Sequence, residues 1–253
     1  MSGAGARVGG DRIPAWQRDE LVASFLDERQ TLLPQLDTME ELVRTILRRQ
    51  GHAIERFVDL GAGDGAMSEL VLGVVPGAHA VLVDFSEPML ERAAARLGDG
   101  ERASWEAVRG DLAQAGWESA LPAGPYDLVV SSFAIHHLYP ERKRGLYAEA
   151  FSLLAPGAMF LNMDVVTVEG PLAGLFDEQM EANAIAAEHA RHGHRSDEQV
   201  AEEMVDDGSD DRPDSAPEQL AWLADAGFED VELHFKWAEG AIFGGRRPPE
   251  GSA

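Results

Sequence analysis

The sequence predicts an α/β fold: a doubly wound, seven-stranded sheet ending in a reversed β-hairpin, with an N-terminal helical cap and an inserted helical flap. Three observations predict it. Between residues 54 and 166, short apolar runs alternate with amphipathic stretches, the pattern of strands joined by helical crossovers in a parallel sheet. Three closely spaced glycines follow the first apolar run and open the first amphipathic stretch. Near the C-terminus two apolar runs are separated only by Ala238-Glu-Gly240, which fits an antiparallel hairpin.

Taken in order, residues 1–50 carry Trp16, Leu21 and Phe25, then Met39, Leu42, Val43, Ile46 and Leu47, at spacings of three and four. That is helical periodicity, broken at Pro34 and stopped at Gly51. This segment reads as a cap, with Trp16, Phe25 and Arg29 over a ligand pocket, and residues 51–253 as the main domain. Strands are expected at 56–60, 80–84, 104–109, 126–131 and 158–166, and helices at 68–74, 88–97 and 140–154. Residues 167–216 read as an acidic insertion or lid. A helix is expected there at about 171–189, followed by Asp197, Glu198, Glu202, Glu203, Asp206, Asp207, Asp210, Asp211 and Asp214. A last helix at 217–226 stops at Gly227. Strands at 228–237 and 240–245 close the sheet, with Glu232, His234 and Lys236 alternating towards solvent and a frayed tail from 246.

Composition narrows the partners. The chain has 253 residues and no cysteine, which excludes disulfides, thiolate nucleophiles and cysteine-ligated metals. A net charge of −24, with lysine only at 143 and 236, disfavours nucleic acid and anionic membranes, since both call for a basic patch. With neither a signal-peptide pattern nor an apolar run near the ~20 residues of a membrane span, a soluble, cytoplasmic monomer or homodimer is expected.

The chemistry starts at Asp59-Leu-Gly-Ala-Gly-Asp-Gly65. Glycines at 61, 63 and 65 permit a tight turn and let a ligand approach the backbone. The spacing is GxGxG, whereas a dinucleotide fingerprint is GxGxxG. Asp59 and Asp64 suit a cationic, zwitterionic ligand better than a pyrophosphate. Asp84, at the end of the second strand, lies 23 residues after Gly61, close to the offset of an acid that accepts ribose hydroxyls. Phe85 and Met89 offer apolar cover for an adenine. Asp111, after the third strand, can accept from the adenine amino group while Leu112 packs on the ring.

This constellation resembles the class I S-adenosylmethionine-dependent methyltransferase superfamily. The resemblance extends to Tyr126-Asp-Leu-Val-Val-Ser-Ser-Phe-Ala-Ile-His-His-Leu138, similar to the fourth-strand motif of small-molecule members, to Ser152-Leu-Leu-Ala-Pro-Gly157, and to Phe243-Gly-Gly245 of the hairpin. Where relatives carry a second glycine after Pro156-Gly157, this chain has Ala158. The resemblance covers roughly 54–166 and 217–245. It implies a Rossmann-like fold and S-adenosylmethionine as cofactor, held by Asp59, Gly61, Ala62, Gly63, Asp64, Gly65, Asp84, Phe85, Met89, Asp111, Leu112, Ser131 and Phe133. It further implies a histidine facing the acceptor, with His137 the first choice of base and His136 shaping the pocket.

Asn162 and Asp164 share one face of the fifth strand, and an acid so placed is costly unless paired or functional, so Asp164 joins the catalytic candidates. Glu188-His189-Ala-Arg-His192-Gly-His194 offers ligand types for a metal, but Gly193 ends the helix that would align them, and no metal is expected. The function that follows is in-line methyl transfer to oxygen, nitrogen or carbon of a small-molecule acceptor. Standing beside it are a non-catalytic regulatory protein that binds the same cofactor, an NAD-dependent oxidoreductase, and tRNA as a rival acceptor.

Overall fold

The computed structural model describes residues 33–98, 104–191 and 211–251. The caps proposed on Trp16, Phe25 and Arg29, the acidic run 197–210, and His192 and His194 lie outside these residues. The chain order is α1 (Leu36–Arg49), β1 (Arg56–Leu60), α2 (Ala66–Val74), β2 (His79–Asp84), α3 (Glu87–Leu97), β3 (Ser104–Arg109), β4 (Tyr126–Ser132), α4 (Pro140–Leu153), β5 (Leu154–Val165), α5 (Leu175–Arg191), α6 (Ala216–Asp225), β6 (Glu229–Trp237) and β7 (Gly240–Arg246). The seven strands lie in the order β3-β2-β1-β4-β5-β7-β6. Pairing is parallel from β3 through β5, and β7 runs antiparallel to both β5 and β6, as the hairpin pattern predicts.

The central strands are apolar on both faces because helices cover both. Phe57, Leu82, Leu128 and Leu161 join a core with Met39, Val43 and Leu47 of α1 and with Val71 of α2. Their neighbours Val58, Val81, Val129 and Phe160 face the other way, onto Leu146 and Tyr147 of α4 and Trp222 of α6. The period of two along each strand supplies both cores. Helix α1, expected as part of a cap, therefore shares a core with the sheet. Two starts follow from local chemistry: Ser86 caps α3 by accepting from the Met89 N–H, and Ser215 and Glu218 form a reciprocal capping box on α6.

Two expectations change. The strand expected at 158–166 begins earlier: β5 starts at Leu154 opposite Tyr126, directly after α4, with a register irregularity before Leu128. In β6, Leu233 pairs with Phe243 and Phe235 with Ile242, so His234 is an extra residue and the simple alternation breaks there. His234 is half-buried, while Glu232 and Lys236 remain exposed. The tail also starts ordered, since Arg247 donates to the Leu154 carbonyl at 2.6 Å. No described helix is long and apolar enough to cross a membrane.

Candidate functional site

A cavity of about 610 Å³ opens at the C-terminal ends of β1, β2, β3 and β4, where doubly wound sheets bind ligands. The glycine turn forms its floor. The Gly61 and Ala62 N–H groups donate to the Val83 carbonyl at 2.8 and 2.9 Å, which pins the turn across the end of β2. Gly63 has φ +53°, and a Cβ there would meet nothing within 4 Å, so its backbone is bare towards the cavity. Asp84 ties this arrangement together. One carboxylate oxygen accepts from Gly63 N–H and the other from Ser86 N–H, both at 2.8 Å. Burial raises the Asp84 pKa, and the backbone N–H groups of Ser86, Gly63 and Phe85 work against that rise.

Of the residues proposed from sequence, Gly61, Ala62, Gly63, Asp64, Asp84, Phe85, Met89, Asp111, Leu112, Phe133 and His137 line this cavity. Asp59, Gly65, Ser131, His136 and Asp164 do not line it. Ser131 Oγ donates to the Leu60 carbonyl at 2.7 Å, tying β4 to β1. Gly65 caps α2 with φ +78°, and a Cβ there would press on Ala93. The Asp64 carboxylate is paired with Arg96, whose Nε also donates to the Asp64 carbonyl at 3.0 Å. Sequence reading missed Leu33, Met67, Ala134, Leu138 and Arg212 on the wall. Arg212 belongs to the far end of the insertion, and no local pattern marks it.

Asp59 lies fully buried beneath the turn. It accepts from Ser68 Oγ at 2.7 Å, and its other oxygen is buried without a hydrogen-bond partner. Burial lifts its pKa to about 7, against the Ser68 bonds and assisted by the charges of Asp84 and Asp64. The folded protein therefore favours the protonated acid. Its contribution is full below the unfolded value near 3.8 and is lost as pH rises through about 7. Stability of the ligand-free protein should accordingly fall across that window by up to ~4 kcal/mol. Asp59→Asn should flatten the slope and raise stability at pH 8, read by urea unfolding at pH 5 and pH 8. An unchanged slope would remove Asp59 as its source.

Beyond β4, Phe133 adopts φ +48° and the chain turns through the short helix Ile135–His137. This presents the two histidines differently. His136 is buried, with Nδ1 at 2.6 Å from Asp164 Oδ1 and Nε2 at 3.5 Å from Asp211 Oδ1. Burial opposes its charged form, yet Asp164 and then Asp211 outweigh burial and lift its pKa to about 9. His137 lines the cavity, and its Nδ1 lies 3.0 Å from the same Asp211 oxygen. Asp164, completely buried, also accepts from the His136 backbone N–H at 3.1 Å and from Asn162 Nδ2 at 3.3 Å. Its role in the structure is thus to hold His136.

The insertion returns to this point. Thr167 N–H donates to the Asp214 carbonyl at 3.1 Å, and Arg212 N–H donates to the His136 carbonyl at 2.9 Å. Lys143, fully buried at the start of α4, donates to the Arg212 carbonyl and lies 2.6 Å from Asp214 Oδ2. Arg212 then stacks on Tyr139, its guanidinium carbon 4.2 Å from the ring centre.

Comparison with known proteins agrees with this geometry. A family model described as a methyltransferase domain matches residues 58–160. Demethylmenaquinone methyltransferase of Clavibacter sepedonicus is 30% identical over 212 residues, spanning 83% of this chain and 80% of that protein. Carboxy-S-adenosyl-L-methionine synthase of Aeromonas hydrophila subsp. hydrophila is 27% identical over 222 residues, spanning 86% and 84%. Among solved structures, human N-acetylserotonin methyltransferase in complex with SAM superposes with a TM-score of 0.60 at 14% identity, over 92% of this chain and 57% of that one. PigF with SAH gives 0.57 at 20% identity, over 93% of this chain and 63% of that one. The chain spans about three-fifths of these two structures, and the likeness to them is one of fold.

Proposed function

Because the chain belongs to the class I S-adenosylmethionine-dependent methyltransferases, we propose that it transfers the methyl group in line to oxygen, nitrogen or carbon of a small-molecule acceptor. S-adenosylmethionine is the cofactor. The observation that carries the reading is the coupling of Asp84 to the bare glycine turn inside a cavity of about 610 Å³. That volume suits a nucleoside-sized ligand with an acceptor beside it.

The residues fit the cofactor. Gly63 offers open backbone, and each Asp84 oxygen, after accepting one N–H, keeps a lone pair for a ribose hydroxyl. Phe85, Met89 and Leu112 supply apolar cover for the base, with Asp111 at its edge. Asp59 does not reach the cavity; buried beneath the turn and bonded to Ser68, it supports the turn from below. Once bound, the cofactor supplies a methyl group activated by a sulfonium. The chain's part is alignment and exclusion of water. We assign His137 to the acceptor side, with Asp211 fixing its ring and with His136 and Asp164 as positioning residues behind it. The charge of −24 favours a small molecule over tRNA. Residues 1–50 are assigned as a cap anchored by α1 in the sheet's core, 51–253 as catalytic domain with 167–216 as lid, and the cytoplasm as the location.

Calorimetry with S-adenosylhomocysteine tests the cofactor assignment. Asp84→Ala should weaken binding by about 2–4 kcal/mol, roughly 30- to 700-fold, because charge-assisted bonds to the ribose are lost along with the tie to Gly63. Affinity within twofold of the wild type would refute the ribose role.

A further inference from the structure

We propose that His136, His137 and Asp211 form a binding site for a first-row divalent transition-metal ion at the acceptor end of the cavity. One ring nitrogen from each histidine and one Asp211 oxygen lie within 4.8 Å of one another. The two nitrogen–oxygen separations are 3.0 and 3.5 Å. Ligand atoms about 2.1 Å from a shared ion, at angles between square and tetrahedral, stand about 3.0–3.4 Å apart. The two histidine–carboxylate separations match edges of such a polyhedron to about 0.1 Å.

The support behind the ligands is of the kind metal sites use. His136 turns its other nitrogen onto the buried Asp164, which fixes the ring and directs Nε2 towards Asp211. Asp211 is fixed from its own side by the neighbouring Arg212 N–H bond to the His136 carbonyl. The surroundings favour a cation. Burial chiefly raises the Asp177 pKa, and Glu239 and Asp211 both add to it as like charges, so these carboxylates are neighbours. The Arg212 guanidinium is drawn onto the Tyr139 ring and the His137 carbonyl.

Two imidazoles and one carboxylate select zinc, iron or cobalt over magnesium or calcium. Three protein ligands leave at least one position open. The site is reachable from outside, because the Asp211 side chain is 51% exposed and His137 lines the cavity. Binding of the ion is independent of the methyltransferase reading, and only its use towards an acceptor oxygen or nitrogen rests on that reading. Sequence inspection directs attention to His189, His192 and His194 instead, because Asp211 is more than 70 residues from the paired histidines.

The test is calorimetric titration of the chelator-stripped, full-length chain with Zn2+, and with Co2+ for its visible absorption. S-adenosylhomocysteine titrations on the same samples report the cofactor pocket separately. The expected result is one equivalent bound, with Asp211→Asn and His137→Ala each weakening Zn2+ at least tenfold and S-adenosylhomocysteine affinity retained in Asp211→Asn. Asp211 is half-exposed, so its substitution keeps the test alive if His136→Gln fails to fold. Equal Zn2+ affinity in wild type and variants would mean that other acidic groups collect the ion, and would overturn the proposal. Absence of binding at millimolar Zn2+ would overturn it too, leaving the three groups as a hydrogen-bonded relay.

Discussion

Gly61→Ala should abolish measurable S-adenosylhomocysteine binding and destabilise the protein by about 2–4 kcal/mol. Two costs add. Gly61 sits at φ +68°, where an alanine loses about 1 kcal/mol relative to glycine. Its Cβ would also lie well inside van der Waals contact with the Cβ of Ala134 and against Leu112. Such overpacking costs about 1–3 kcal/mol, because the Ala134 Cβ is fixed to the backbone and cannot swing away. Relief can come only if the 61–63 turn or the Phe133–Ala134 segment moves, and both line the cavity. Gly63→Ala is the control. Its φ of +53° carries the same backbone penalty, but its Cβ meets nothing within 4 Å. It should cost about 1 kcal/mol of stability, with a loss of affinity that comes from the methyl group occupying ligand space. Urea unfolding paired with calorimetry separates the two. If Gly61→Ala were as stable as Gly63→Ala, the close approach to Ala134 would not be what fixes the turn.

The contrast between these glycines shows what could be read in the chain and what could not. The turn, the succession of strands and helices and the reversed hairpin follow from local patterns: a period of two or of 3.6, a glycine cluster, a short Ala-Glu-Gly link. Local patterns also located Asp84, because a strand end at a set distance from the turn leaves little freedom. They were silent on which side of the turn each acid faces. Asp59 and Asp64 both looked available to a ligand, yet one lies under the turn with Ser68 and the other carries a paired Arg96. Side-chain direction there is decided by α2 and α3 packing on the sheet, which periodicity does not encode. The same holds for His136 and His137. Their position after β4 was legible, but their division into a buried ring and a cavity-lining ring depends on Asp164 and on Asp211, which returns from the insertion. The strand boundary at Leu154 was missed for a related reason: its partner Tyr126 lies on another strand.

Lys143→Met should be among the most damaging single substitutions outside the cavity, at about 3–5 kcal/mol. Lysine in the first turn of α4 opposes the helix dipole, and this one is fully buried. It is tolerated because Asp214 Oδ2 lies 2.6 Å away and the Arg212 carbonyl accepts a second bond. Methionine keeps the volume and removes both bonds, stranding a carboxylate whose side chain is 16% exposed. If the unpaired charge dominates, Lys143→Met with Asp214→Asn should recover more than half of the loss, because the amide removes the charge at nearly the same shape. If cavity or packing defects dominate, the double variant should be no better than the single one, and a double-mutant cycle in urea tells them apart. The consequence reaches the site through the chain itself. Lys143 anchors 212 and 214, Arg212 N–H holds the His136 carbonyl, and Asp211 holds His137. Loosening the anchor should therefore weaken Zn2+ binding in Lys143→Met while S-adenosylhomocysteine affinity stays within a few-fold, since Asp84 and the glycine turn lie on other strands. Loss of both affinities together would instead show that the insertion's return and the cofactor turn unfold as one unit.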